Sequence, residues 1–232
     1  MLTRKPATGK PNPVGQTPKV LLTGFDAFGG ETVNPSWLAV QALHGKRVLG
    51  RKLVAVQLPT VFDASRVTLR KALGQFRPEL VICIGQAGGR SALSLERVAI
   101  NVNDARIPDN AGGRPIDTPI VASGPAAYFT GLPIKAMLQA LQMDGIAAEV
   151  SQTAGTFVCN HVFYGLMHLL ATQRPFKPTR GGFIHVPFVP EQTRGRDTPS
   201  LPLDGIVRGI KIAVRAALMN TTDLALGAGA EQ

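Results

Sequence analysis

Short apolar runs alternate with segments of helical periodicity along most of this chain of 232 residues. The runs at 20–23, 80–84 and 182–186 are nearly continuous in apolar residues, which is typical of strands buried on both faces. Four segments have apolar residues at helical spacing: 62–76, 133–144, 159–170 and 203–218. Strands that alternate with helices build layered α/β domains. We therefore predict a single three-layer α/β/α domain with a mostly parallel twisted sheet, of the phosphorylase/hydrolase-like kind.

The remaining elements fit the same scheme. Further strands are predicted at 52–58, 96–101 and 147–151, and Asn34-Pro35 is a good helix start, with Asn34 as the N-cap. In open α/β sheets, sites gather at the carboxyl ends of the strands. We therefore expect four loops to point towards one rim of the sheet: those after Thr23, Ile84, Ser151 and Val186.

The ends of the chain differ in composition from its middle. Residues 1–18 are rich in proline, glycine and basic residues, so we predict a disordered basic extension, followed by a domain over 19–219 and a flexible tail over 220–232. The chain has neither an apolar run of membrane-spanning length nor an apolar signal segment at its start, which favours a cytoplasmic protein without a membrane partner. The net charge of +10 favours a solvated basic surface over a specific nucleic-acid site, because no nucleic-acid-binding signature accompanies it.

Cys159 lies where a loop is predicted to turn into a helix. The N-terminus of a helix carries unpaired N–H groups and a partial positive charge, and this field favours the nucleophilic thiolate. The only other cysteine, Cys83, falls within a predicted strand and is expected to be a buried, inert thiol. These positions make a cysteine hydrolase the leading hypothesis, and they disfavour a disulfide between the two residues.

A base for Cys159 can be sought among four histidines. His161 would lie about 200° around the helix from the sulfur, and His168 about 13 Å along its axis. His44 follows a predicted helix and is interpreted as a surface cap. His185, at the end of a strand on the expected rim, remains as the candidate base, with a core histidine as the alternative.

Three further features leave alternatives open. The group that orients the imidazole could be any of four carboxylates: Glu96, Asp104, Asp109 or Glu191. Within the polar loop 103–110, Arg106 could stabilise developing negative charge or could simply hold the loop together. Phe25 and Phe28 follow the first strand and are interpreted as a lid over an apolar ligand, or as loop packing.

Other cofactor and ligand classes have little support. The glycine-rich segments 23–30 and 85–90 match neither phosphate-binding pattern, and no cluster has the spacing of metal ligands. We therefore expect neither a metal nor another cofactor.

Several long motifs, in order, resemble the pyroglutamyl peptidase I (pyrrolidone-carboxylate peptidase) family. They are found at 21–36, 96–101, 104–110, 124–129, 132–137, 154–161 and 185–188, and the resemblance spans roughly 19–218. It implies a cysteine-type omega-peptidase that removes N-terminal pyroglutamyl residues from blocked peptides through a thioester, and that works as a cytosolic homotetramer without a cofactor.

The resemblance also implies roles for individual residues. The catalytic triad falls on Cys159, His185 and Glu96, which selects one of the four carboxylates. Arg106 would bind the oxyanion together with the backbone N–H of the cysteine. The remaining residues would line or border the lactam pocket: Phe25, Phe28, Phe157, Asn34 and Gln86.

Three other functions compete with this interpretation. The chain could be a non-catalytic binding protein that keeps the pocket, a polyanion binder that uses its positive charge, or a phosphate-handling enzyme of similar architecture. Intact triad residues oppose the first, and the lack of a phosphate cradle opposes the third. An activated cysteine would also be prone to oxidation.

Overall fold

The structure, a computed structural model, describes residues 17–229. Its strands are β1 Lys19–Phe25, β2 Arg47–Val48, β3 Arg51–Leu58, β4 Leu80–Gln86, β5 Leu93–Glu96, β6 Val98–Ile100, β7 Ala127–Phe129, β8 Ala148–Ser151 and β9 Arg180–Val186. Its helices are α1 Pro35–Leu43, α2 Phe62–Phe76, α3 Ile134–Met143, α4 Val158–Thr172 and α5 Leu203–Met219, with 3₁₀ turns at Arg174–Phe176 and Pro190–Gln192. Apart from its last two residues, the predicted basic extension 1–18 lies outside the described residues.

The central sheet has seven strands in the order β2-β3-β1-β4-β9-β5-β8. Its four middle strands, β3, β1, β4 and β9, are parallel, which confirms the prediction of a mostly parallel sheet. β5 is antiparallel to β9, and β8 is parallel to β5. The loops after β1, β4 and β9 therefore share one rim. β8 runs in the opposite direction, yet the segment after Ser151 also reaches this rim, as expected, because Thr153 O accepts a hydrogen bond from Arg90 in the loop after β4.

Helices cover both faces of the sheet and give the predicted three layers. One face packs against α1, α3 and α5, and the other packs against α2 and α4. β4 shows how the sequence requires this arrangement: Val81 and Cys83 face α2 and α4, whereas Ile82 and Ile84 face the other layer. A strand that is apolar at every position can bury itself only between two layers, and all seven residues of β4 are buried.

The strand expected over 96–101 is divided between two sheets. β5 ends at Glu96 in the central sheet, whereas β6 begins at Val98 and pairs with β7 in a separate two-stranded sheet. Arg97 joins the two sheets, since its N–H bonds Ser151 O while its carbonyl accepts from Thr130 N–H. The division leaves Glu96 as the last residue of β5, fully buried at the boundary between the sheets.

The tail from residue 220, which was predicted to be flexible, contacts the rest of the domain at two places. Asp223 Oδ1 accepts hydrogen bonds from the backbone N–H groups of Lys135 (2.9 Å) and Ala136 (3.0 Å) at the start of α3. The residue before α3 is Pro133, which offers no side-chain acceptor. Farther along the tail, Ala228 O accepts from Arg97. The tail thus supplies a cap that α3 lacks in its own sequence.

We expect Asp223→Ala to lower the free energy of unfolding by about 1 kcal/mol, because two N–H groups of α3 lose their acceptor. Asp197→Ala is the matched control, since it removes the same charge from an exposed loop position. Chemical denaturation of both variants measures the difference. Equal stability of the two variants would show that the tail does not cap α3.

Candidate active site

The catalytic candidates meet at the rim where β4 and β9 end. Gly85 of β4 lies directly beside His185 of β9 in the parallel register. A Cβ atom placed on Gly85 would lie 2.7 Å from Cys159 Sγ and 2.7 Å from Phe183 Cζ. The sulfur therefore rests on the bare backbone of Gly85, on the face of the sheet that also carries Phe183 and His185.

Helix α4 brings the cysteine to this position. The helix runs back along the sheet, because Leu166 and Leu170 in its later turns pack over Gly181 near the start of β9. Phe157 is the N-cap and Val158 the first helical residue, so Cys159 lies in the first turn, at the rim. The backbone N–H of Cys159 has no acceptor within the helix and is free to bind an anion there.

Burial and the neighbouring carboxylate oppose the effect expected from the helix end. Burial raises the pKa of the Cys159 thiol to about 12, Glu96 raises it further, Arg90 lowers it, and Cys83 adds a small increase. The loss of water around the sulfur thus opposes the effect predicted from the helix end, and a base beside the thiol would assist its deprotonation.

His185 and Glu96 form the pair that sequence spacing could not identify. His185 Nδ1–H donates to Glu96 Oε1 at 2.7 Å, and both side chains are buried. In the neutral imidazole this bond places the proton on Nδ1 and leaves Nε2 able to accept one, as a general base requires. Of the other candidate carboxylates, Asp109 holds its own loop by accepting from the N–H groups of Ala111 and Gly113. Asp104 and Glu191 are exposed.

Arg90 is a residue of this site that the sequence reasoning missed. Its Nη1 donates to the same Glu96 Oε1 at 2.7 Å, and its Nη2 donates to Thr153 O at 3.1 Å. The segment 85–90 was considered only as a possible phosphate loop. The available signal was an arginine that ends a glycine-rich loop directly after a strand of the rim.

The other histidines have structural roles, as the elimination predicted. His161 is buried beneath Phe62, its Nδ1 bonds Asn103 Oδ1 at 2.9 Å, and burial lowers its pKa to about 4. His168 bonds the hydroxyl of Tyr128. His44 caps the end of α1 and accepts from Ala55 N–H.

The phenylalanines separate into two groups. Phe28 and Phe157 are partly exposed, with ring centroids 6.1 Å apart, and Phe62, which the sequence analysis did not select, meets Phe157 edge-on at 5.4 Å. Phe25 is only 2% exposed and packs on Phe183, so the expectation that it is an exposed lid residue is wrong. Its position is the last of a buried strand, and Phe183 in turn contacts the His185 ring at 4.8 Å.

Asn34 and Gln86 are buried and hold the walls of the site in place. Asn34 caps α1 by accepting from Ser36 and donates to Asp26 O, which fixes the loop after β1. Gln86 Oε1 accepts from Gln192 Nε2 at 3.0 Å, which links the ends of β4 and β9. The sequence analysis also missed Gln192, which has no recognisable signal in the sequence.

Arg106 is exposed, and its guanidinium forms no hydrogen bond or ion pair within residues 17–229. Its loop is nevertheless fixed against the start of α4. Asp104 N–H donates to Thr156 O at 3.0 Å, and Thr156 Oγ1 donates to Asp104 O at 2.7 Å. The structure therefore places the loop of Arg106 beside the helix end that carries Cys159, without bringing the guanidinium onto the triad.

Within residues 17–229, no group of three or more histidine, cysteine or acidic side chains is placed to hold a metal ion. No helix in that range has the length and apolar character needed to cross a membrane. Both cysteines are free thiols, and Cys83 is fully buried.

A sequence profile of the pyroglutamyl peptidase family matches residues 18–220. The chain belongs to the pyroglutamyl peptidase family. Two relatives are pyrrolidone-carboxylate peptidases. The protein from Bacillus cytotoxicus is 55% identical over 206 residues, which are 88% of this chain and 95% of the relative. The protein from Cupriavidus taiwanensis is 58% identical over 208 residues, which are 89% of this chain and 96% of the relative.

Solved structures of the pyroglutamyl peptidase family show the same fold. Pyroglutamyl peptidase I from Bacillus amyloliquefaciens superposes with a TM-score of 0.89 at 52% identity and covers 91% of this chain and 100% of its own. A mutant pyrrolidone carboxyl peptidase from Pyrococcus furiosus superposes with a TM-score of 0.83 at 40% identity. The match covers 87% of this chain and 98% of that protein's chain. The predicted fold class, the family and the assignment as a peptidase are thereby confirmed.

Proposed function

We propose that this protein is a cysteine omega-peptidase that hydrolyses the bond after the N-terminal pyroglutamyl residue of blocked peptides. The observation that carries this proposal is the buried bond from His185 to Glu96 beside a sulfur that rests on Gly85. A nucleophile, a base and a group that orients the base are the three parts that acyl transfer to an enzyme requires.

In the first half of the reaction, His185 Nε2 takes the proton of the Cys159 thiol while the sulfur attacks the pyroglutamyl carbonyl carbon. The high pKa of the buried thiol makes this transfer part of the attack instead of a prior equilibrium. Glu96 stabilises the imidazolium that forms. The resulting oxyanion lies near the free N–H of Cys159, with Arg106 on the neighbouring loop as its second donor. His185 then returns the proton to the leaving amine, and a thioester remains.

In the second half, water attacks the thioester carbonyl and His185 accepts a proton from that water. The collapse of the intermediate breaks the carbon–sulfur bond and releases pyroglutamate, and the proton on His185 returns to the Cys159 sulfur. The site is thus regenerated without a net change in charge. No step uses a cofactor.

Selectivity for the lactam follows from the apolar walls. Pyroglutamate is small and uncharged, and the partly exposed rings of Phe28 and Phe157 offer it an apolar surface beside the start of α4. An ordinary N-terminal residue would carry an ammonium group into this pocket, which costs free energy unless the charge is paired. Phe25, Asn34 and Gln86 support the pocket from behind.

We further propose, on the strength of the family resemblance, a cytoplasmic homotetramer whose partners are pyroglutamyl-blocked peptides. Sedimentation equilibrium tests the assembly. A mass of one chain or two would overturn it.

The proposed activity is tested with a pyroglutamyl amide of a chromophoric amine under reducing conditions, beside the matching prolyl amide. The two substrates differ in the ring carbonyl and in the charge of the ring nitrogen. We expect turnover of the first and at least about 100-fold lower kcat/KM for the second, since the prolyl amide lacks the ring carbonyl and brings an ammonium charge into an apolar pocket. Folded protein that turns over neither substrate would support the binding-protein alternative.

A further inference from the structure

The second donor on Glu96 points to an additional member of the catalytic apparatus. His185 Nδ1 and Arg90 Nη1 both lie 2.7 Å from the same oxygen, Oε1, although they come from different elements of the fold. The other oxygen, Oε2, is buried and has no hydrogen-bond partner among residues 17–229. All of the polar contacts of this carboxylate within that range therefore converge on one atom.

The burial of Glu96 explains why this second donor matters. Its side chain is fully buried, and a buried carboxylate is costly unless a cation and hydrogen bonds accompany it. Neutral His185 supplies a hydrogen bond but no charge. Arg90 is the only arginine or lysine that forms an ion pair with Glu96 within residues 17–229, and its own side chain is 25% exposed.

The guanidinium of Arg90 also connects segments that are separate in the chain. While Nη1 holds Glu96, Nη2 donates to Thr153 O in the segment that leads from β8 to Cys159. One planar group thus joins the loop after β4, the end of β5 and the approach to α4. A lysine carries the same charge but has a single nitrogen, so it cannot span both acceptors in this way.

We propose that Arg90 is a positioning residue of the active site, which pairs with the buried carboxylate of Glu96 and orients it so that Oε1 holds the imidazole of His185 towards Cys159. This role rests on the proposed peptidase function. Arg90 also affects the candidate nucleophile, since it lowers the pKa of the Cys159 thiol while Glu96 raises it. Without the guanidinium, the thiol would face an uncompensated carboxylate.

The groups that face this cluster come from four elements. They are His185 on β9, Cys159 on α4, Arg90 in the loop after β4, and Cys83 on β4. The Cys83 thiol slightly raises the pKa of Cys159. On the neighbouring β8, Glu149 is engaged by Ser94 Oγ at 2.7 Å. Arg90 therefore supplies the positive charge of the resting cluster.

Arg90→Met and Arg90→Lys test the proposal against Arg51→Met. Arg51 forms an ion pair with Glu79 at the same distance, 2.7 Å, at the far end of the sheet, which makes it a matched control. In Arg90→Met we expect kcat to fall roughly 10- to 100-fold with a smaller change in KM, because the triad is misaligned. The acid limb of the pH profile should move to higher pH, because loss of the neighbouring cation favours proton uptake by the site.

Arg90→Lys should keep the acid limb near its wild-type position and retain more activity than Arg90→Met, since it keeps the charge. Arg51→Met should match the wild type in both respects. A wild-type profile in Arg90→Met, or the same displacement of the limb in Arg90→Lys, would overturn the proposal.

A second measurement does not depend on turnover. Alkylation of Cys159 by iodoacetamide at mildly alkaline pH should be slower in Arg90→Met than in the wild type, because the thiol loses the cation that favours its ionisation. An unchanged rate would contradict the link between Arg90 and the sulfur. If the wild-type protein turns over no pyroglutamyl substrate, the proposed function fails, whereas the alkylation rates still decide the role of Arg90.

Discussion

Replacement of Cys159 by serine is expected to lower kcat/KM for the pyroglutamyl amide by at least about 1,000-fold. The hydroxyl is far less acidic than the thiol, and this site already disfavours an anion at the position, since burial raises the pKa of the thiol to about 12. His185 would then have to remove a proton from a hydroxyl whose alkoxide this site does not stabilise. Turnover is measured with the chromophoric substrate, and folding with thermal unfolding.

Cys83→Ser is the matched control for this experiment. Cys83 is the other cysteine of the chain, and it is fully buried on β4 below the site, where burial raises its pKa to about 12. Thr23, the residue beside it on β1, lowers the pKa of Cys83 through a side-chain hydrogen bond, so its hydroxyl is available to the new serine. We expect activity close to that of the wild type. Substantial turnover by Cys159→Ser, or its loss in Cys83→Ser, would remove Cys159 as the nucleophile.

Gly85→Ala is expected to cost at least about 100-fold in kcat/KM although it changes no catalytic group. The added Cβ would lie 2.7 Å from Cys159 Sγ and 2.7 Å from Phe183 Cζ, closer than such contacts occur, so the sulfur or the ring must move. Phe183 is fully buried and also contacts His185, so movement of the ring would disturb the base as well. Overpacking should lower stability by about 1–3 kcal/mol.

Gly74→Ala separates this effect from a general cost of replacing glycine. Gly74 lies on the exposed side of α2, and a Cβ there would meet no atom within 4 Å. We expect unchanged kinetics and a gain of up to about 1 kcal/mol in stability, because alanine favours the helix. If Gly85→Ala kept kcat/KM within a few-fold of the wild type, the close contact between β4 and the sulfur would not matter for catalysis.

Local sequence was sufficient for the layers of the fold. A strand such as β4, apolar at every position, requires cover on both faces, and the periodic segments 62–76 and 203–218 supply helices with one apolar side. The same local reasoning failed where pairing partners decide the outcome. The direction of β8 and the division between β5 and β6 depend on hydrogen bonds to distant strands, which no short window of sequence contains.

The candidate site shows the same division. Cys159 and His185 could be selected from local signals, a loop-to-helix junction and a strand end, while Glu96 was only one of four carboxylates until the family resemblance selected it. Arg90 offered only the weak signal of an arginine at the end of a glycine-rich loop, and Gln192 offered none, because their contacts are with residues on other segments of the rim. Phe25 was assigned to an exposed loop because sequence spacing could not show that β1 extends through it.

The sequence by itself therefore determined the α/β architecture and the candidates for the nucleophile and its base, because each depends on residue type and short-range periodicity. Only the tertiary structure decided that burial raises the pKa of the Cys159 thiol, that Glu96 is shared between His185 and Arg90, and that the sulfur lies on Gly85. These three properties arise from burial and from contacts between separate elements, and burial and distance are set by how the chain packs as a whole.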